Sequence, residues 1–79
     1  MDDFSLQCYI SLCSQMNFTS AAQIMYVSQP TMTRIIAGLE KEMGCKLINR
    51  GSSGISLTLA GQEFLKGAKE IIKTKKNVI

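Results

Sequence analysis

Histidine is missing from the 79 residues, and cysteine is confined to Cys8, Cys13 and Cys45. A zinc site needs Cys or His ligands at short spacing, usually about four of them, so no metal is expected. Three cysteines are too few, and odd in number, for a disulfide framework. They read instead as small buried apolar residues in a reducing cytosol, which points to a cytoplasmic protein. No nucleophile stands beside a base, and no glycine loop is built to cradle a phosphate, so the chain is not expected to be an enzyme or to hold a cofactor. No run of about twenty apolar residues is present to cross a membrane. The opening Met1-Asp2-Asp3 lacks the basic flank of a signal peptide. Internal repeats and low-complexity tracts are also absent.

Charge of one sign is scarce as well. Up to residue 60 the acids Asp2, Asp3, Glu40 and Glu42 balance Arg34, Lys41, Lys46 and Arg50. The formal net charge of +3 is therefore carried by the last segment, with Lys66, Lys69, Lys73, Lys75 and Lys76. Such a distribution permits binding to nucleic acid without establishing it, since lysines also favour a helix C-terminus.

What the sequence does have is apolar residues, 46% of the total, enough for one small core. A domain of this size lies near the lower limit of independent stability, and pairing with a second copy would help it. Leu6, Tyr9, Ile10, Cys13 and Met16 follow the spacing of an amphipathic helix, with Asp2 or Asp3 placed to cap it and Asn17-Phe18 ending it. Thr19 is the expected N-cap of a short second helix through Met25, in which Ala21-Ala22 invites close approach by another helix. Tyr26-Val27 form a break. Ser28 then caps a third helix with Pro30 in its first turn, where the missing N–H has no partner to lose. Its buried face is expected to use Met32, Ile36, Leu39 and Met43, with Gly44 as the stop. Gly38 falls inside the helix, and close packing is the one reason the sequence offers for it.

The period then changes. Leu47-Ile48-Asn49-Arg50 and Ile55-Ser56-Leu57 flank Gly51-Ser52-Ser53-Gly54, the pattern of a β-hairpin. Thr58 caps a last long helix carrying Phe64, Leu65, Ala68, Ile71 and Ile72 as an apolar stripe. The expected fold class is mainly α, a winged helix-turn-helix: a three-helix core, a small β-hairpin wing, and a long C-terminal helix. A helix about 10–12 Å across fits the major groove of DNA, and the preceding helix of the pair braces it. Burying the Met32 face leaves Gln29, Pro30, Thr31, Thr33 and Arg34 at the outward N-terminal end. Gln29 can pair with adenine and Arg34 with guanine or a phosphate, and the threonines can meet phosphate or a thymine methyl. Taken singly, each of these residues is equally compatible with an ordinary solvated face.

The run Asn17-Phe18-Thr19-Ser20-Ala21-Ala22-Gln23, then Val27-Ser28-Gln29-Pro30-Thr31-Met32-Thr33-Arg34, then Leu39-Glu40-Lys41-Glu42-Met43-Gly44, resembles the N-terminal domain of LysR-type transcriptional regulators. Leu47-Ile48-Asn49-Arg50 and Leu57-Thr58-Leu59-Ala60-Gly61 are similar to that family's wing and the start of its linker helix. The resemblance covers essentially the whole chain. It implies a DNA-binding winged helix-turn-helix over residues 1–58, with the helix-turn-helix at about 18–37 and the wing at about 47–57. It further implies a linker and dimerisation helix over residues 59–79, and a homodimer that binds an inverted repeat of double-stranded DNA. The recognition helix would span residues 28–43. The DNA contacts implied are Thr19, Ser28, Gln29, Pro30, Thr31, Thr33 and Arg34, with Arg50, Ser52 and Ser53 from the wing; Arg50 could equally be structural. The dimer contacts implied are Phe64, Leu65, Ala68, Ile71 and Ile72, although Phe64 and Leu65 could instead cover their own domain. A small-molecule effector would act only through a C-terminal domain absent from these residues.

Some positions depart from the family's usual pattern. Ile35 and Ala37 stand where polar or basic residues are common, Ser53 where the wing is often basic, and Leu59 where an acid is frequent. The expected DNA face is thus less cationic than usual, which predicts a shallow salt dependence of binding. Ile35 fits either the core or a thymine methyl. The alternative to DNA binding is a winged helix used for protein contacts or dimerisation alone.

Overall fold

The computed structural model describes residues 1–78; residue 79, the last of the expected linker helix, lies outside the described residues. The elements follow as α1 (Asp3–Gln15), α2 (Phe18–Ile24), α3 (Gln29–Met43), β1 (Ile48–Gly51), β2 (Gly54–Leu57) and α4 (Leu59–Val78). The mainly helical winged helix-turn-helix expected from the sequence is the architecture observed.

Asp2 caps α1, its carboxylate accepting from the Ser5 amide at 2.8 Å. That hydrogen bond holds the Asp2 carboxyl below the usual carboxylate range. The buried residues of α1 are Leu6, Cys8, Tyr9 and Leu12. The expected stripe is rotated: Ile10 and Cys13 are half-buried, and Met16 is exposed at the helix end, in the left-handed region with φ 54°. The cause is that α1 is enclosed by α2 and α3 on one side and α4 on the other, so a second side of the helix is covered. Burial pushes the Cys8 and Cys13 thiols up, as the apolar reading of these residues requires. Cys45 departs from that reading and is exposed in the turn after α3.

The N-cap of α2 is Asn17, not Thr19. Its side chain accepts from the Ser20 amide at 2.8 Å. Both residues have suitable chemistry; the choice falls on Asn17 because Phe18, in the first turn, is buried in the core. Ala21 and Ala22 are buried where α2 meets its neighbours. Tyr26 forms the turn to α3 with φ 59°.

Ser28 caps α3, with Pro30 in the first turn, and Gly44 terminates it at φ 72°. A left-handed residue there lets the Gly44 and Cys45 amides return to the Glu40 carbonyl at 2.8 and 3.2 Å. Met32, Ile36 and Leu39 form the buried face. Met43, expected to extend that face, is 46% exposed, because the core ends before the last turn. A side chain at Gly38 would meet nothing within 4 Å, so close packing inside this chain does not account for the glycine.

The hairpin pairs Ile48 with Leu57, Asn49 with Ser56, Arg50 with Ile55 and Gly51 with Gly54, leaving Ser52-Ser53 at the tip. Thr58 fastens the hairpin and starts α4. Its hydroxyl donates to the Lys46 carbonyl at 2.7 Å and accepts from the Gly61 amide at 2.9 Å. At Gly61 the helix passes so close to Leu47, just before β1, that an added Cβ would collide with the Leu47 carbonyl oxygen. Buried Tyr9 donates its hydroxyl to the Gly61 carbonyl at 2.9 Å and meets the Phe64 ring edge-to-face at 5.0 Å. Burial raises the Tyr9 pKa, which keeps that donor protonated. The first half of α4 thus belongs to the packed body, with Ala68 buried and Phe64 and Leu65 against the core. No helix among the described residues is long and apolar enough to cross a membrane.

Candidate nucleic-acid interface

The polar end of α3 is organised before any partner arrives. Ser28 Oγ accepts from the Thr31 amide at 3.2 Å and donates to Thr31 Oγ1 at 2.9 Å. Arg34 Nη2 donates to the same Thr31 oxygen at 3.2 Å. With both acceptor positions of Thr31 Oγ1 in use, its own proton is left to point outward. Thr19, inside α2, donates to Gln29 Oε1 at 3.2 Å and so ties the two helices together. The Gln29 amide nitrogen, with two donors, stays available.

Ser28, Gln29, Pro30 and Arg34 are exposed, as is Thr19; Thr31 and Thr33 are half-buried. The position of these side chains follows from their anchors, because Met32 and Ile36 are fully buried on the opposite side of the same turns. A helix held this way presents its first two turns as a rigid projection whose N-terminal dipole favours an anion, although the Thr31 amide is already capped by Ser28 and Pro30 has none.

Two features of this surface were not singled out from the sequence, and a third, left open there, takes one of its two alternatives. Lys41 is exposed on the same side as Arg34, two turns further on, and the seven-residue interval was the available signal. Between them lie Ala37 and Gly38, both exposed, so the helix backbone is bare there. Ile35, at the edge of the surface, is partly buried against the core.

The wing is set beside this projection by two contacts. Glu40 Oε2 accepts from the Leu47 and Ile48 amides at 2.8 and 3.1 Å, joining α3 to β1. The Arg50 guanidinium lies over the Phe18 ring, 4.1 Å from its centroid, joining β1 to the first turn of α2. Arg50 therefore has a structural contact while its side chain remains exposed. Ser52 and Ser53 are exposed at the hairpin tip. Cations at Arg34, Lys41 and Arg50 and hydroxyls at Ser28, Thr31, Ser52 and Ser53 suit phosphates flanking a groove; the amide of Gln29 suits a base edge. Among the described residues, no three His, Cys, Asp or Glu side chains are grouped to hold a metal.

On α4, the structure divides the expected dimer residues. Phe64, Ala68 and Ile71 line an apolar groove on one flank together with Met43 and Gly67. Leu65 and Ile72 lie on the other flank, against α1. Ala68 is itself buried, whereas Ile71 is 44% exposed.

A family model of bacterial regulatory helix-turn-helix proteins, the LysR family, matches residues 5–62. The HTH-type transcriptional regulator TfdT of Cupriavidus pinatubonensis is 38% identical over 72 residues, covering 91% of this chain and 32% of the relative. A probable RuBisCO transcriptional regulator of Thalassiosira pseudonana is 39% identical over 67 residues, 85% of this chain and 22% of the relative. The chain spans about a third or less of the length of these curated relatives. Among solved structures, the crystal structure of a CbnR_DBD–DNA complex superposes with a TM-score of 0.93 at 35% identity, covering 99% of this chain and 90% of that one. A BenM_DBD/catB site 1 DNA complex gives a TM-score of 0.93 at 28% identity, covering 99% and 88%.

Proposed function

The chain belongs to the LysR family of bacterial regulatory helix-turn-helix proteins, and from that membership we propose that it is the double-stranded-DNA-binding part of a transcription regulator. The observation that carries this reading is the projecting start of α3. Ser28 through Arg34 form a hydrogen-bonded polar shoulder on a helix whose other side is locked in the core. In the proposed complex α3 enters the major groove. Gln29 and Arg34 read base edges, Thr31 and Thr33 meet phosphate or a thymine methyl, and Ser28 and Thr19 hold the phosphates beside the helix tip. Bare backbone at Ala37 and Gly38 lets the helix sit deep in the groove, and Lys41 reaches the far phosphates. Arg50, Ser52 and Ser53 contact the flanking backbone from the wing. Few cations take part, so the salt dependence is shallow for a DNA-binding domain.

We further propose pairing of two copies along the α4 groove that holds Phe64, Gly67, Ala68 and Ile71, which extends the interface to Gly67 and leaves Leu65 and Ile72 outside it. The groove is apolar, and Ile71 beside it is exposed, so pairing would remove apolar surface from water. In this reading residues 1–58 are the reading head, residues 59–79 the linker, and the chain itself performs no catalysis. Any small-molecule effector would be held by a further domain outside these residues.

The test is selection of bound duplexes from a random pool by the purified chain. Enrichment of two inverted half-sites at fixed separation is the expected result. No enrichment, with no binding to random duplex at low salt, would leave the protein-contact reading in its place.

A further inference from the structure

A second groove runs along the opposite flank of α4, where that helix lies against α1. It consists of adjoining depressions that share Ile10 or Ile72. Its floor is apolar: Ile10 and Ile72 are half-buried, and Ile24 at the end of α2 is 50% exposed. Its α1 rim carries Gln7 and Ser14 over most of its length, with the acid Asp3 at one end beside Lys75 and Lys76. Its α4 rim carries Lys69, Lys73 and Lys76. These lysines follow one another at intervals of four and three, so they form a single stripe about two turns long.

The three lysines of the stripe form no ion pair, and the acid on the groove's rim, Asp3, is taken by Lys75. Among the described residues, the ion pairs join Met1 to Glu42, Lys66 to Glu63 and Lys75 to Asp3, and none involves Lys69, Lys73 or Lys76. Lysines four residues apart on one helix face repel each other. Ser11, in the wall of the same groove, has the one buried side-chain oxygen without a hydrogen-bond partner among the described residues. None of the lining residues belongs to the proposed DNA-facing set, and the proposed pairing groove is on the other flank of α4.

We propose that this groove docks an acidic amphipathic helix of a partner protein. The match is in charge and in spacing. An apolar stripe on the incoming helix lies on Ile10, Ile24 and Ile72, and carboxylates at intervals of four and three meet Lys69, Lys73 and Lys76. The recessed isoleucine floor favours a helix ridge over the two other polyanions that a lysine stripe attracts. A duplex backbone gains nothing from covering isoleucine, and a planar bilayer surface does not reach a floor set between two helices. Docking here leaves the proposed DNA and pairing surfaces free, so the partner would bind a regulator already on its site.

The test uses the whole chain and a fluorescent peptide about 18 residues long, with leucines along one face and glutamates along one flank. Saturable anisotropy change is expected, with affinity falling at least about tenfold in Lys69→Glu/Lys73→Glu and in Ile24→Ser. Ile71→Ser, on the other flank, is expected to leave peptide affinity unchanged. Circular dichroism melting confirms that each variant is folded; Ile24 and the two lysines are exposed, so their substitution does not open the core. The peptide is also expected to bind when selected duplex is already bound. The proposal is overturned if the peptide does not bind, if a lysine-for-glutamate peptide binds equally, or if duplex displaces the peptide. It is equally overturned if phosphatidylglycerol vesicles, and not the peptide, show the lysine dependence. Failure to bind DNA would sink the preceding section and leave this result standing.

Discussion

The two long helices of this protein are built to opposite plans. α3 lies among α1 and α2, buries Met32, Ile36 and Leu39 almost completely, and leaves one polar side to water. α4 buries Ala68 fully, tucks in Phe64 and Leu65 partly, and exposes grooves on both flanks. Both hold a glycine in mid-helix, Gly38 and Gly67, where a Cβ would meet nothing in the chain. The difference teaches that α3 is fixed by its own domain and offers one polar surface, whereas α4 is packed into the domain over its first half and leaves apolar side chains such as Ile71 open to water beyond it.

Core truncation should separate the helices most strongly. Leu39→Ala is expected to cost about 3 kcal/mol in urea unfolding, from lost transfer free energy and the cavity left behind. Ile71→Ala, already 44% exposed, should cost under about 1 kcal/mol in dilute solution. Comparable losses would mean that α4 is as deeply integrated as α3.

The junction between α3 and the wing comes next. Glu40→Ala removes an acceptor shared by the Leu47 and Ile48 amides, and should lower stability by about 2 kcal/mol. Unchanged stability, measured with the same denaturant, would show that core burial of Leu47 and Ile48, with Arg50 and Thr58, holds the wing without the Glu40 contact.

Gly38→Ala and Gly67→Ala should each raise stability by about 0.5–1 kcal/mol, because both are mid-helix sites with open space. Their functional effects should diverge. The first is expected to weaken DNA binding with pairing intact, and the second to weaken pairing in sedimentation. Gain of stability without either loss would remove the reason proposed for keeping glycine at these sites.

The smallest effect concerns pH. The Asp2 carboxyl is held below its ordinary value by the Ser5 amide, so its contribution is present above the unfolded carboxyl pKa of 3.8 and is lost as pH falls through the folded value. Asp2→Asn should flatten acid unfolding slightly in that window, read as the unfolding midpoint against pH.

Local signals account for what the sequence made legible. Ser28, Pro30 and Gly44 bound α3 because capping and termination depend on neighbouring residues, and the hairpin follows from its glycine-flanked tip. The exposure of Gln29, Pro30 and Arg34 followed from the buried stripe by helical period alone, whereas Thr31 and Thr33 are half-buried. What was missed depends on distant residues. Neither the Glu40 grip on β1, the Tyr9 bond to Gly61, nor the stacking of Arg50 on Phe18 has a local pattern. The same holds for α1, where Cys8 and Leu12 are buried outside the expected stripe because the helix is covered by α2 and α3 as well as by α4. Periodicity listed the apolar residues of α4 correctly as a group but could not say which flank each would serve.

The central claim is that the shoulder of α3 reads a duplex from a helix the core holds rigid. Arg34→Ala tests it most directly, by titration of the selected duplex and of random duplex beside a denaturation curve. The account predicts that affinity for the selected duplex falls by about 1–3 kcal/mol, that discrimination narrows, and that the unfolding midpoint stays in place. Undiminished affinity in a folded variant would contradict it.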